Sequence, residues 1–166
     1  AGQQKAVIEG VGLGTVDAGM ASFLRAAVRA RKQIMIAGAT GAGKTTTLRA
    51  LAAEIPPEER IVTVETELEL GIDRYPELHP DCIALESRQA NVEGIGAVTA
   101  AQLVRMSLRM SPDRVIVGEV RGDEIVPMLN AMSVGDGSMC TLHARTAAKA
   151  LDRIVNLCLE QGGGMT

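Results

Sequence analysis

Apolar positions along this 166-residue chain follow two alternating rhythms. Between Thr15 and Arg31, Met20, Phe23, Leu24, Ala27 and Val28 fall at i, i+3, i+4, i+7 and i+8, the stripe of an amphipathic helix. Short apolar runs at Ile34 to Ile36, Ile61 to Glu65, Cys82 to Leu85, Val115 to Val117 and Ser138 to Leu142 read as strands. Helical segments separate them. One covers 46–53 and is stopped by Pro56-Pro57. Another opens at Thr99 with a Thr99-x-x-Gln102 capping box and an apolar side of Leu103, Val104 and Leu108. A third covers 122–133, and a fourth covers 147–160 with Leu151, Ile154, Val155 and Leu157 at helical spacing. Residues 66–81 are polar and irregular, and His79 within them reads as a surface residue. Strands alternating with helices predict an α/β domain whose mostly parallel sheet is covered on both faces. That domain is expected over 15–166, with 1–14 as a glycine-rich linker remnant.

The first strand runs directly into Gly38-Ala39-Thr40-Gly41-Ala42-Gly43-Lys44-Thr45, a complete G-x-x-x-x-G-K-[ST] loop. Glycines let such a loop wrap a polyphosphate so that backbone N–H groups point inward. The following helix adds the positive end of its dipole. The spacing predicts nucleoside triphosphate binding by residues Gly38 through Thr46. Lys44 is expected to reach the β- and γ-phosphates, and the Thr45 hydroxyl to ligate Mg²⁺.

Composition narrows the partners. Aromatics are 1% of the chain, Phe23 and Tyr75, with no Trp, so base-stacking platforms for nucleic acid are nearly lacking. Formal charge is −3, which gives no overall basic field. Lysine occurs only at 5, 32, 44 and 149. Cys82, Cys140 and Cys158 show no C-x-x-C spacing and read as buried free thiols of a reducing compartment. No apolar run approaches the ~20 residues of a membrane span, so a soluble, cytoplasmic chain is expected.

Three further boxes follow in order. Glu65-Thr66-Glu67-Leu68-Glu69-Leu70 ends the second strand, Val115 to Arg121 contains Gly118-Glu119-x-Arg121, and Gly135 to Ala144 ends Thr141-Leu142-His143-Ala144. After a phosphate loop, acids at strand ends suit a metal's water shell and an attacking water. Glu119 then stands as a Walker B acid, on a strand expected beside that of the P-loop, with Glu65 as the matching acid on a second strand.

In order and wording these boxes resemble the type II/type IV secretion ATPase superfamily, and look most like its tight-adherence (Tad/CpaF-like) pilus branch. Thr66 stands where that family usually has aspartate, and Val134 to Gly137 replaces its Gly-His-x-Gly. The resemblance implies a RecA-like P-loop NTPase fold and an ATP- and Mg²⁺-dependent ATPase. It also implies a hexameric ring at the cytoplasmic face of the inner membrane, working with membrane platform proteins of a pilus or secretion machine and with no nucleic acid. The chain would be the motor domain of a larger protein, truncated at both ends, and alone a weak, mostly monomeric hydrolase. Its site would comprise Lys44, Glu65, Glu119, Arg121 and His143, with Thr45 and Glu119 at the metal and His143 sensing the γ-phosphate. Which of Glu65 and Glu119 orients water stays open, with Glu65 preferred. Arg88, Arg105 and Arg109 are further candidates for phosphate or intersubunit contacts. Two other readings of the chain are a RecA-like DNA translocase and a nucleotide sensor without turnover.

Overall fold

The computed structural model describes residues 15–162. The expected linker at 1–14 and the tail from Gly163 lie outside the described residues. Helix α1 (Ala18–Arg29) opens on Asp17, whose carboxylate accepts the Met20 N–H at 2.7 Å. It is followed by β1 (Ile34–Gly38), α2 (Lys44–Ala52), β2 (Ile61–Glu65), a 3₁₀ turn at Ile72–Arg74 and β3 (Cys82–Glu86). Then come α3 (Ala100–Ser107), a 3₁₀ turn at Leu108–Met110, β4 (Arg114–Val120), α4 (Ile125–Val134), β5 (Met139–His143) and α5 (Ala147–Gly162). The capping box predicted at Thr99 and Gln102 is present at the start of α3.

All five strands are parallel, in the order β1-β5-β4-β2-β3. Side-chain alternation along each strand serves two separate cores. Ile61, Ile116 and Met139 face α1 and α2, packing with Val28, Leu48, Leu51 and Ala52. Val64, Val115, Val117, Cys140 and Leu142 face α3, α4 and α5, packing with Val104, Met128 and Leu157. The parallel sheet with helices on both faces is therefore as the sequence predicts.

The sheet order corrects one expectation. β4, which carries Glu119, does not pair with β1, because β5 lies between them and bonds both. Fully apolar strands display no preferred face or neighbour, so their local pattern could not rank them. Helix faces also differ from the predicted stripes. Phe23 is 66% exposed and Met20 half-exposed, because α1 buries Ala21 and Val28 and turns Arg25 toward Glu54, just past the end of α2, where the two pair at 2.9 Å. On α5, Leu157 is buried and Ile154 packs on the core, whereas Leu151 and Val155 point outward. His79 is not a surface residue: it is 2% exposed, and neither ring nitrogen has a partner among the described residues. Burial holds its pKa below the ordinary histidine value, opposed by Glu77. Of the three free cysteines only Cys140 is fully buried, and Cys82 and Cys158 are half-buried. Burial pushes the Cys82 and Cys140 thiols up to about 12, which keeps them protonated and unreactive.

At the edge where the strands begin, a buried ion pair ties the layers together. Arg114, with a fully buried side chain, donates to both oxygens of Glu59 at 2.5 and 3.1 Å and to the Val28 carbonyl at 2.9 Å. Its guanidinium lies where Gly137 leaves room, since a Cβ at 137 would fall 2.6 Å from Arg114 Nη1. Arg31 adds contacts to Glu59 and Asp113.

Candidate functional site

The opposite edge, where the strands end, gathers the predicted chemistry. β1 ends at Gly38, and the loop Ala39–Gly43 leads into α2 at Lys44. Gly41 and Gly43 have φ of 73° and 80°, a left-handed conformation that favours glycine. A Cβ on either would meet nothing within 4 Å, so it is backbone conformation and not crowding that favours glycine there. Ala39, Thr40 and Ala42 are exposed. Ala42 N–H closes on the Ala39 carbonyl at 3.2 Å, and the Thr47 hydroxyl donates to the Gly43 carbonyl at 2.9 Å. Thr46, at the exposed start of α2, follows Thr45, which turns toward the acids.

Lys44 Nζ donates to the Ala39 carbonyl at 3.2 Å and lies 3.7 Å from Glu119 Oε1. The other oxygen of Glu119 accepts from Arg121 Nε at 2.6 Å. That bond holds the Arg121 guanidinium above its ordinary pKa. Thr45, Glu65, Thr66, Glu67, Glu69, Gly118, Glu119 and Arg121 line one pocket of about 110 Å³. Residues from three separate sequence boxes therefore converge, as their order suggested.

The two acids stand in different surroundings. Glu119 is partly exposed and paired with two cations. Glu65 is 4% exposed. Its Oε2 accepts the N–H groups of Glu69 and Leu70, both at 2.9 Å, while its Oε1 is buried without a partner among the described residues. Burial raises its pKa above the ordinary carboxylate value, and the two N–H donors oppose that rise.

The strand under Glu119 is irregular. β4 and β5 pair Ile116 with Met139 and Val117 with Cys140, and then Val120 with Leu142. β4 has three steps where β5 has two, so one extra residue bulges at Gly118–Glu119. The Thr141 hydroxyl donates to the Gly118 carbonyl at 2.7 Å. After the bulge, Glu124 accepts the N–H groups of Arg121 and Gly122 and fixes the turn into α4. Sequence reading missed Thr141 and Glu124. A glycine inside a strand, at 118, was the available sign of the bulge.

His143 ends β5 exposed, in register with Gly38, and Ala144 N–H donates to the Gly38 carbonyl at 3.3 Å. It stands beside the root of the loop, outside the residues lining the acidic pocket. The remaining arginines lie elsewhere. Arg88 bonds the Gly96 carbonyl at 2.8 Å, and Arg105 and Arg109 line a separate, more apolar pocket with Val98 and Met106. Of the four arginines considered, only Arg121 belongs to this site.

A parallel sheet with a glycine loop between β1 and α2, and acids at the ends of β2 and β4, defines a P-loop nucleoside triphosphatase fold. The chain belongs to the Type II/IV secretion system protein family, whose model matches residues 2–163. It is 45% identical over 142 residues to a protein of Mycobacterium tuberculosis provisionally named for conjugal transfer, covering 85% of this chain and 39% of that one. It is 43% identical over 142 residues to the type IV secretion system protein PtlH of Bordetella pertussis, covering 83% and 40%. Among solved structures, the VirB11 ATPase of the Brucella suis type IV secretion system, in complex with sulphate, superposes with a TM-score of 0.75 at 33% identity. That match covers 96% of this chain and 44% of that one. The pilus retraction motor PilT with bound ADP matches at 0.58 and 25% identity, covering 82% and 38%. The chain thus spans about two fifths of the curated relatives it matches. Among the described residues, no helix is long and apolar enough to cross a membrane.

Proposed function

We propose that this chain is the ATP-binding and ATP-hydrolysing motor domain of a secretion or pilus-assembly ATPase. One observation carries the reading: Thr45 from the start of α2, Glu65 from the end of β2, and Glu119 with Arg121 from the end of β4 line one pocket, and Lys44, the lysine of the glycine loop motif, reaches Glu119 at 3.7 Å. The residues fit ATP with Mg²⁺. The loop offers backbone N–H groups and a lysine to phosphate, and the hydroxyl of Thr45 with the carboxylate of Glu119 makes an oxygen donor set suited to a hard cation. Bound there, Mg²⁺ would neutralise charge developing on the phosphate oxygens. Lys44 exchanges its contacts with Ala39 and Glu119 for the β- and γ-phosphates. Glu65, whose Oε1 has no partner among the described residues, holds and orients the attacking water, and its raised pKa suits a group that takes up a proton. Arg121 supplies positive charge beside Glu119, and His143, next to Gly38, reads the terminal phosphate.

In the whole protein we place six such domains in a ring at the cytoplasmic face of the inner membrane. Hydrolysis there drives membrane-bound platform proteins, in the manner of the tight-adherence branch that the sequence boxes resemble. The relatives' names, a VirB11 ATPase and a pilus retraction motor, support this reading. Titration calorimetry of Lys44→Ala tests it. Loss of a charge-assisted phosphate contact, about 1.5–3 kcal/mol, should weaken ATP binding by roughly 10- to 100-fold, while the protein stays folded. Unchanged ATP affinity would refute the site. His143→Ala should keep ADP affinity and lose the preference for ATP.

A further inference from the structure

We infer that Thr141 is a positioning residue of the nucleotide site, whose hydroxyl holds the β4 bulge that aims Glu119. This inference rests on the proposed role of Glu119 at the metal. Alternation along β4 sets the problem. Ile116 faces α1 and α2, Val117 faces the other layer, and Gly118 returns to the α2 side, where Glu65 lies against it. In an unbroken strand the next side chain, Glu119, would point to the α3–α5 layer, away from Lys44 and Glu65. The extra residue removes that constraint. Val120 takes the place on the α3–α5 face opposite Leu142, and Glu119 is left to turn to Lys44 of α2.

A bulge disrupts the ladder and leaves a backbone group without its regular partner. Here the Gly118 carbonyl takes the Thr141 hydroxyl at 2.7 Å, from a side chain that is 1% exposed on the neighbouring strand. The arrangement is specific to this position. Thr63, equally buried on β2, has a hydroxyl with no partner among the described residues. The same Gly118 residue is also the wall against which Glu65 rests, since a Cβ there would fall 3.0 Å from Glu65 Cγ. One hydroxyl therefore anchors the residue between the two acids. Because β5 bonds β1 as well, the anchor also fixes the acids relative to the strand that leads into the loop.

The test measures metal binding, using Mn²⁺ as the probe and electron paramagnetic resonance as the readout, with a non-hydrolysable ATP analogue present. Thr141→Val should raise the Mn²⁺ dissociation constant by about 10-fold or more, the usual effect of losing a support behind a metal residue. Affinity for the analogue without metal should stay within about twofold, since the loop is untouched, and Thr141→Ser should restore Mn²⁺ binding. A Thr141→Val protein that melts earlier yet binds Mn²⁺ as tightly as the parent would overturn the inference, leaving only a structural stitch. Should the valine variant not fold, Thr141→Cys, a weaker donor of similar size, must show an intermediate Mn²⁺ affinity, and parental affinity there overturns it equally. Glu119→Gln separates the two claims. If it leaves Mn²⁺ binding unchanged, the metal role of Glu119 fails and this inference with it. If it weakens Mn²⁺ binding while Thr141→Val does not, this inference alone fails.

Discussion

The side chain of Glu65 lies across the face of Gly118, so close that a Cβ on residue 118 would sit 3.0 Å from Glu65 Cγ. The residue in front of Glu119 is thus small because the acid of the neighbouring strand occupies its space. Gly118→Ala should push Glu65 off its two N–H donors. We expect it to cost about 1–3 kcal/mol as an overpacked contact and to lower ATP turnover by at least about 10-fold, as displaced catalytic groups do. Nucleotide affinity should be retained. Equilibrium unfolding and phosphate release check the two halves separately, and full turnover would show that Glu65 acts from elsewhere.

Glu65→Gln should trade activity for stability. Its carboxyl has a raised pKa in the folded state, because burial disfavours the charge. The native state therefore holds the proton more tightly than the unfolded chain. Stability from this group is complete below the ordinary glutamate pKa and is lost as pH rises through the folded value. A neutral glutamine escapes that loss. Melting curves should show the variant level with the parent in acid and increasingly more stable as pH rises toward neutrality, while ATP hydrolysis falls. A variant that is less stable at neutral pH would contradict the assignment.

His79 gives the opposite pH signature. It is buried and neutral, with a lowered pKa and two ring nitrogens unpartnered among the described residues. The unfolded chain takes up the proton first, so stability falls as pH drops below the ordinary histidine value of about 6.5 and on through the folded one. His79→Leu should flatten that limb between pH 5 and 7 (about the span of a histidine titration). An unchanged acid limb would place its origin in the carboxylates.

The Arg114–Glu59 pair is expected to be intolerant of single change. Arg114→Met leaves buried Glu59 with only the longer contact to the partly exposed Arg31, at 3.4 Å, and should cost about 3 kcal/mol. The double variant Glu59→Leu/Arg114→Met should recover most of that loss, since no charge is then left in the interior. Additive losses in a double-mutant cycle would mean that the two side chains act independently.

How far the sequence reached can be followed residue by residue. The loop from Gly38 to Thr45 and the elements around it were legible because glycine, lysine and apolar period are local signals. The meeting of Glu65 and Glu119 was legible from strand ends that follow a P-loop. Sheet order was not, because β4 and β5 are apolar on both faces and carry no mark of their neighbours. The outward turn of Phe23 was hidden because the α1 stripe is only half used: Leu24 and Val28 pack inward as expected, while pairing of Arg25 with Glu54, 29 residues away, rotates Met20 and Phe23 outward. Burial of His79 and the bond from Thr141 to Gly118 are likewise decided by chain segments distant in sequence.

The place of β5 between β1 and β4 has a dimensional consequence. Neighbouring strands lie about 4.8 Å apart, so the strand feeding the loop and the strand ending in Glu119 are roughly 10 Å apart. The inserted strand acts as a spacer. Lys44, at the start of α2, bridges that separation and reaches Glu119 at 3.7 Å.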